Sequence, residues 1–93
     1  MPRQPSDEPT KLELQVLRFL WSNGDSTVRQ IHNRLVDLRG DDYTHASTVK
    51  MLSVMLGKGL VSRDDSIRPQ IFRAVATEKK TQRSMLKNLV KRM

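Results

Sequence analysis

YTHASTVKMLSVMLGK, residues 43–58, is the segment to which the other predicted elements are joined. Thr44 is a favourable helix N-cap, because its hydroxyl can accept a hydrogen bond from a backbone amide in the first turn. Four apolar residues follow at three- and four-residue spacing, which predicts a helix of about three turns with one flank in a core. They are Val49, Leu52, Met55 and Leu56.

The opposite flank of this helix is predicted to carry Ser47, Lys50, Met51 and Val54. There is no acidic residue between positions 43 and 58. A helix that faces only water usually mixes Glu with Lys, so an acid-free outer face favours an anionic partner. Short side chains would allow close approach to base edges and thymine methyl groups. An ordinary amphipathic helix has the same spacing, and this helix alone does not decide between the two interpretations.

The length and composition indicate one small domain with an aliphatic core. The 93 residues include no cysteine, which excludes disulfides and thiolate metal sites. No apolar run approaches the length of a membrane span, and the opening MPRQPSDEP lacks the apolar core of a signal peptide. We therefore expect a cytoplasmic protein without membrane association.

The charge is unevenly distributed along the chain. Residues 1–43 hold six basic and seven acidic residues, a net charge of −1, whereas residues 44–93 hold eleven and three, a net charge of +8. This asymmetry favours an anionic partner, with nucleic acid before an anionic membrane. A basic surface that only confers solubility remains the alternative.

Two capping boxes precede the central helix. Residues 1–9, with three prolines, are expected to be a flexible lead, after which Thr10–Glu13 starts a helix that runs to about Ser22. This helix is apolar on two sides, and Trp21 is interpreted as a packing residue. Gly24 suits the position after the helix.

Thr27–Gln30 is the second capping box, and residues 26–28 are expected to add a bridge or two to a small sheet. The second helix should direct Ile31, Leu35 and Leu38 inward and end at Arg39–Gly40. With the short turn before Thr44, the two helices have the order of a helix-turn-helix.

Alternating residues follow the central helix. Leu60–Arg63 and Gln70–Val75 are predicted strands joined by a turn-rich tip, and a β-hairpin at this point is typical of a winged helix. Arginines 63, 68 and 73 could contact phosphate or a narrow minor groove. The alternative is that Arg63 and Arg73 cover the sheet and pair with Asp64 or Asp65. The predicted fold is thus mainly α with a small hairpin (α+β), a winged helix-turn-helix over residues 10–76.

Residues 77–93 predict a final basic helix with an apolar stripe. The stripe consists of Met85, Leu86, Leu89, Val90 and Met93. One short helix cannot bury such a stripe against itself, so it folds back on the first helix or pairs with a second subunit. The chain stops at Met93 within the pattern, and we expect a truncated dimerisation segment.

Several segments, in this order and spacing, resemble the penicillinase-repressor family of transcriptional regulators, which includes the methicillin-resistance regulator and copper-responsive repressors. They are Glu13–Leu17 with Leu20–Trp21, Thr27–His32, Thr48–Leu52, Lys58–Val61, Arg63–Ser66 and Phe72–Ala74. The resemblance implies a dimeric repressor that binds an inverted repeat with its third helix in successive major grooves. It also implies a membrane-bound sensor protease as a partner that relieves repression. The chain lacks the Cys-rich tail of the copper-responsive members, so copper sensing is not predicted.

The predicted function is sequence-specific binding of double-stranded DNA, as a repressor that acts as a homodimer. The predicted DNA-binding residues are Thr27, Arg29, Thr44, His45, Ser47, Lys50, Met51, Val54, Lys58 and Arg68. His32 and His45 have no ligand cluster at metal-binding spacing, so neither a metal nor a cofactor is predicted. An enzyme is not predicted, since no catalytic constellation is present, and the lack of paired aromatics argues against RNA. The remaining alternative is a winged helix that binds protein rather than DNA.

Overall fold

A computed structural model describes residues 8–92, which form four helices and a three-stranded antiparallel sheet. In chain order the elements are α1 (Lys11–Asn23), β1 (Ser26–Thr27), α2 (Val28–Arg39), α3 (His45–Gly57), β2 (Val61–Asp64), β3 (Ile71–Ala74) and α4 (Glu78–Arg92). The hairpin of β2 and β3 follows α3 directly. This arrangement confirms the predicted α+β winged helix-turn-helix.

Both predicted capping boxes are present. The Thr10 hydroxyl accepts a hydrogen bond from the Glu13 amide at 3.2 Å, and the Glu13 carboxylate accepts one from the Thr10 amide at 3.0 Å. Thr27 and Gln30 repeat the exchange at 3.2 and 2.9 Å. Each box satisfies two backbone donors that a helix start leaves unpaired, so the local sequence fixes where α1 and α2 begin.

The end of α3 is a Schellman turn that leads straight into the hairpin. The Gly59 amide donates to the Leu56 carbonyl at 3.1 Å, and the Leu60 amide donates to the Met55 carbonyl at 3.0 Å. Gly59 has a φ of +76°, a conformation that glycine adopts without a Cβ penalty. The Leu60 carbonyl in turn accepts from the Val75 amide at 3.0 Å, which ties the turn to the strand that returns.

The sheet has the strand order β1-β3-β2, so β3 is its central strand. Phe72 of β3 lies opposite Ser26 on one side and Arg63 on the other. Its side chain is buried and joins the core. The bridge predicted for residues 26–28 is therefore confirmed as β1.

The core is aliphatic apart from Phe72 and draws on every element except α4 and the short β1. Its buried apolar residues are Val16, Leu17, Leu20, Ile31, Leu35, Leu52, Met55, Val61 and Phe72. Trp21 packs against this core, as predicted. The prediction that Leu38 points inward is wrong, because this side chain is 39% exposed. It lies in the last turn of α2, in a shallow surface groove beside Leu12.

A nearly buried ion pair joins α1 to the end of α3. Nζ of Lys58 lies 2.7 Å from Oε1 of Glu13, and the two side chains are only 10% and 6% exposed. Lys58 also donates to the Glu8 carbonyl at 3.3 Å. Glu13 thus serves both the capping box and the ion pair, which anchors the first turn of α1 against the α3–β2 junction.

α4 packs against α1, and two hydrogen bonds hold it in place. The indole N–H of Trp21 donates to the Ala76 carbonyl at 2.9 Å, just before α4 begins. The amide nitrogen of Asn88 donates to the Glu8 carboxylate at 3.0 Å. In the described part of the chain, none of the helices combines the length and apolarity needed to cross a membrane.

Replacing Lys58 by methionine should lower the free energy of unfolding by about 3 kcal/mol, because removing one partner leaves the Glu13 carboxylate buried without its cation. Methionine keeps most of the hydrocarbon stem, so lost packing contributes little. Urea unfolding followed by circular dichroism measures the difference.

Lys50→Met is the matched control, since Lys50 is an exposed lysine of α3 itself. It should change the free energy of unfolding by less than about 0.5 kcal/mol. Equal losses for the two variants would show that the Glu13–Lys58 pair does not stabilise the fold.

Candidate nucleic-acid interface

The amino end of α3 is capped and open to solvent. The Thr44 hydroxyl accepts a hydrogen bond from the Ser47 amide at 3.1 Å and donates to the Ser47 hydroxyl at 2.9 Å. Thr44, His45 and Ser47 are all exposed. A helix amino terminus carries a partial positive charge and free N–H groups, both of which favour a phosphate.

The buried flank of α3 differs from the predicted one. Thr48 and Met55 are fully buried and Leu52 is 2% exposed. Val49, predicted in the core, is 47% exposed, so that prediction is wrong. Met51, predicted to face outward, is instead partly buried against the core. The helix is thus rotated toward Thr48, a polar residue that hydrophobic periodicity does not place in a core.

The exposed face of α3 contains Ser47, Lys50 and Val54, the last 42% exposed. It also contains Ala46 and Ser53, which the sequence analysis missed. Ala46, Lys50 and Ser53 are four and three residues apart and therefore lie in one row along the helix. That spacing could have identified the row if Thr48 had been assigned to the core. The face therefore presents one cation among short side chains and has no acid.

A polar contact joins α2 to α3 beside this face. Nδ1 of His32 and Oγ1 of Thr48 are hydrogen-bonded at 2.7 Å. The rings of His32 and His45 meet edge to face, with their centroids 5.5 Å apart. The half-buried His32 thus touches α3 at one buried and one exposed residue.

The start of α2 is a second capped amino terminus, half-buried at Thr27 and Val28 and exposed at Arg29 and Gln30. The Thr27 hydroxyl is engaged in the capping box, and Arg29 is exposed in the first turn. The partial positive charge of the helix end and the Arg29 guanidinium lie in the same turn of α2, which is a suitable arrangement for a phosphate.

Lys58 does not have the position that its predicted role requires. Its ammonium group is nearly buried and bound to Glu13. A phosphate could reach it only if that pair broke, so we remove Lys58 from the proposed DNA contacts. The partner lies 45 positions away in the chain, which is why local sequence did not indicate the pairing.

Two of the three hairpin arginines are engaged in exposed ion pairs. Arg63 pairs with Asp65 at 2.9 Å, as the alternative interpretation predicted. Arg73 pairs instead with Asp25 at 2.9 Å, a partner that was not predicted. Arg68 is exposed at the hairpin tip and has no ion pair within residues 8–92. It is therefore the hairpin arginine most available for a phosphate.

The acidic residue at the end of β2 stays charged to lower pH than usual. The hydroxyl and the amide of Ser66 both donate to the Asp64 carboxylate, and these hydrogen bonds lower the pKa of Asp64. A permanent negative charge here disfavours phosphate contact along β2. This leaves the tip around Arg68 as the favourable part of the hairpin.

The predicted dimerisation residues occupy two environments. Leu86, Leu89 and Val90 are 62%, 56% and 63% exposed, whereas Met85 is half-buried. Met93 lies outside the described residues. The exposed members therefore form an apolar surface on α4 that the rest of residues 8–92 does not cover.

The comparisons with known proteins identify the family. A family model described as the penicillinase repressor matches residues 9–93, nearly the whole chain. Searches among curated proteins and among solved structures gave no significant match. The matched segment runs through all four helices and the hairpin. The chain therefore belongs to the penicillinase-repressor family, whose members are regulators of transcription.

Proposed function

We propose that this protein is a sequence-specific DNA-binding repressor that excludes RNA polymerase from a promoter. The observation that carries the proposal is the exposed face of α3, which combines Lys50 with short side chains and has no acid. The open amino end of the same helix adds a favourable site for a phosphate. Membership of a family of transcriptional regulators supports the same conclusion.

Base recognition is assigned to the outer face of α3 in the major groove. Lys50 can donate to O6 and N7 of guanine, and Val54 can pack on a thymine methyl group. The Ser47 hydroxyl can donate to or accept from a base edge. His45 lies where the helix would enter the groove. Met51 is partly buried, so in this proposal it supports the neighbouring contacts rather than reading a base by itself.

Phosphate binding is assigned to groups around α3. The amino ends of α2 and α3, at Thr27 and Thr44, offer backbone N–H groups, while Arg29 and Arg68 offer exposed guanidinium groups. These contacts would position α3 but read no sequence. Their number sets how steeply affinity falls with salt.

A homodimer on an inverted repeat completes the proposal. Residues 10–76 would bind one half-site, and residues 77–93 would pair two copies through Leu86, Leu89 and Val90. When two linked copies bind two half-sites, the second contact forms at a high effective concentration. The dimer therefore binds more tightly than a single copy.

Lys50→Ala and Arg68→Ala should separate base reading from phosphate binding. Lys50→Ala should weaken binding to the preferred duplex by about tenfold or more and bind a random duplex only slightly less tightly. Arg68→Ala should weaken both duplexes alike and flatten the salt slope by about one unit. Fluorescence anisotropy with both duplexes at several salt concentrations measures the affinities.

Arg73→Ala is the matched control for the hairpin. Because Arg73 is already paired with Asp25, its replacement should leave the salt slope nearly unchanged. Equal losses on the two duplexes for Lys50→Ala would remove Lys50 from base recognition. A slope for Arg68→Ala that matches the Arg73→Ala slope would remove Arg68 from phosphate binding.

Replacing both Leu86 and Leu89 by glutamine should raise the dissociation constant of the dimer by about a hundredfold or more, since two buried leucines would be lost from each copy. Glutamine is nearly as good a helix former as leucine, so α4 itself should persist. Sedimentation equilibrium without DNA gives the dissociation constant. Gln82→Ala, at an exposed polar position of α4, is the control, and a wild-type monomer at high micromolar concentration would contradict the dimer.

A further inference from the structure

The apolar residues of α3 do not by themselves select one buried face. Leu52 and Met55 are in the core, yet Val49 and Val54 are 47% and 42% exposed on other sides of the helix. Met51 is partly buried against the core. Because α3 carries apolar side chains on several of its sides, a rotated helix could also bury a largely apolar flank.

The competing rotation of α3 buries Val49 and exposes Met51. It requires a turn of about 50° about the helix axis, half of the ~100° step between successive residues. Space for it exists. Val49 lines a cleft of 360 Å³ between α3 and the sheet, together with Leu52 and Phe72. This cleft gives the Val49 side chain room to move toward Phe72.

One polar contact distinguishes the observed rotation from this alternative. The fully buried Thr48 hydroxyl is hydrogen-bonded to Nδ1 of His32 at 2.7 Å and donates to the carbonyl of the N-cap residue Thr44 at 3.5 Å. Rotation away from His32 would cost this hydroxyl its shorter hydrogen bond and its link to α2, and would leave it only the long contact within its own helix. The edge contact between His32 and His45 would also be lost.

We propose that the His32–Thr48 hydrogen bond fixes the rotation of α3 about its own axis, which makes His32 a positioning residue for base recognition. It sets the angle at which the row of Ala46, Lys50 and Ser53 is presented to solvent. Its consequence for DNA rests on the proposed function, whereas its effect on α3 does not. A single buried polar group that specifies one packing arrangement among several has a precedent in the buried asparagine that sets register in coiled coils.

The test uses cysteine probes, which are unambiguous because the chain contains no cysteine. Val49→Cys and Met51→Cys are made separately, each with and without Thr48→Val, and reaction with a thiol reagent is timed in the absence of DNA. With Thr48→Val, the thiol at position 51 should react about threefold faster and the thiol at position 49 correspondingly slower, since a modest population shift exchanges their exposure.

Opposite changes at the two probes are the signature of rotation. If both thiols react faster, the helix opens locally and the proposal is wrong. Unchanged rates at both positions would overturn it equally. Circular dichroism confirms that each variant is folded at the assay temperature.

Two substitutions of His32 provide an independent check. His32→Asn keeps a polar nitrogen near the position of Nδ1 and should give rates close to wild type. His32→Phe keeps an aromatic ring beside His45 but removes the hydrogen bond, and it should reproduce the Thr48→Val pattern. Wild-type rates for His32→Phe would contradict the positioning role.

A separate DNA-binding experiment measures the ratio of the affinities for the selected duplex and the random duplex. Thr48→Val should lower this ratio about tenfold, because the base-reading face is no longer held in one orientation. An unchanged ratio would overturn the role in recognition. If the wild-type chain bound no duplex, the proposed function would fail, while the thiol rates would still decide whether the hydrogen bond fixes the rotation of α3.

Discussion

One flank of α3 is buried, with Thr48, Leu52 and Met55 at its centre, and the elements around it pack against this flank. α3 contacts α2 on one side and β2 on the other, so its rotation determines both what the core contains and what faces solvent. The Schellman turn at Gly59 joins the helix to the hairpin without a linker. The exposed face of α3 and the hairpin tip are therefore fixed relative to one another.

The outer face of α3 and the hairpin contain few cations that are free of a carboxylate partner. The outer face of α3 has a single cation, Lys50, and Lys58 is held by Glu13. Arg63 and Arg73 are held by carboxylates as well. In the proposed complex, α3 and the hairpin therefore offer few side-chain contacts to phosphate, and the affinity of one copy for a half-site should be weak. The apolar surface of α4 offers the means of joining two copies, which would double those contacts.

Local signals were sufficient to predict most of the fold from the sequence. The capping boxes, the glycine at the end of α3 and the alternating hairpin each act within a few residues, and the structure contains all of them. The ion pairs between distant segments were not predicted. The pairs Glu13–Lys58 and Asp25–Arg73 join residues that no local pattern relates.

The rotation of α3 was missed for a related reason. Periodicity counts apolar residues, and α3 has them on several sides, so the pattern favoured Val49 over Thr48 as a core residue. The buried hydroxyl of Thr48 is satisfied by a short hydrogen bond to His32 of another helix and a longer one to the Thr44 carbonyl. Among the residues of α3, Lys50 is exposed as predicted, Met51 is partly buried, and Ala46 and Ser53 are exposed although the pattern did not indicate them.

Selection from a pool of random duplexes is the decisive experiment for the proposed function, because it reports sequence preference and symmetry together. The full chain is used to retain bound duplexes over several rounds, and the enriched sequences are aligned. We expect an inverted repeat whose half-site centres lie about one helical turn of DNA, or a multiple of it, apart. A pool that remains random after selection, with binding that does not depend on salt, would contradict the account.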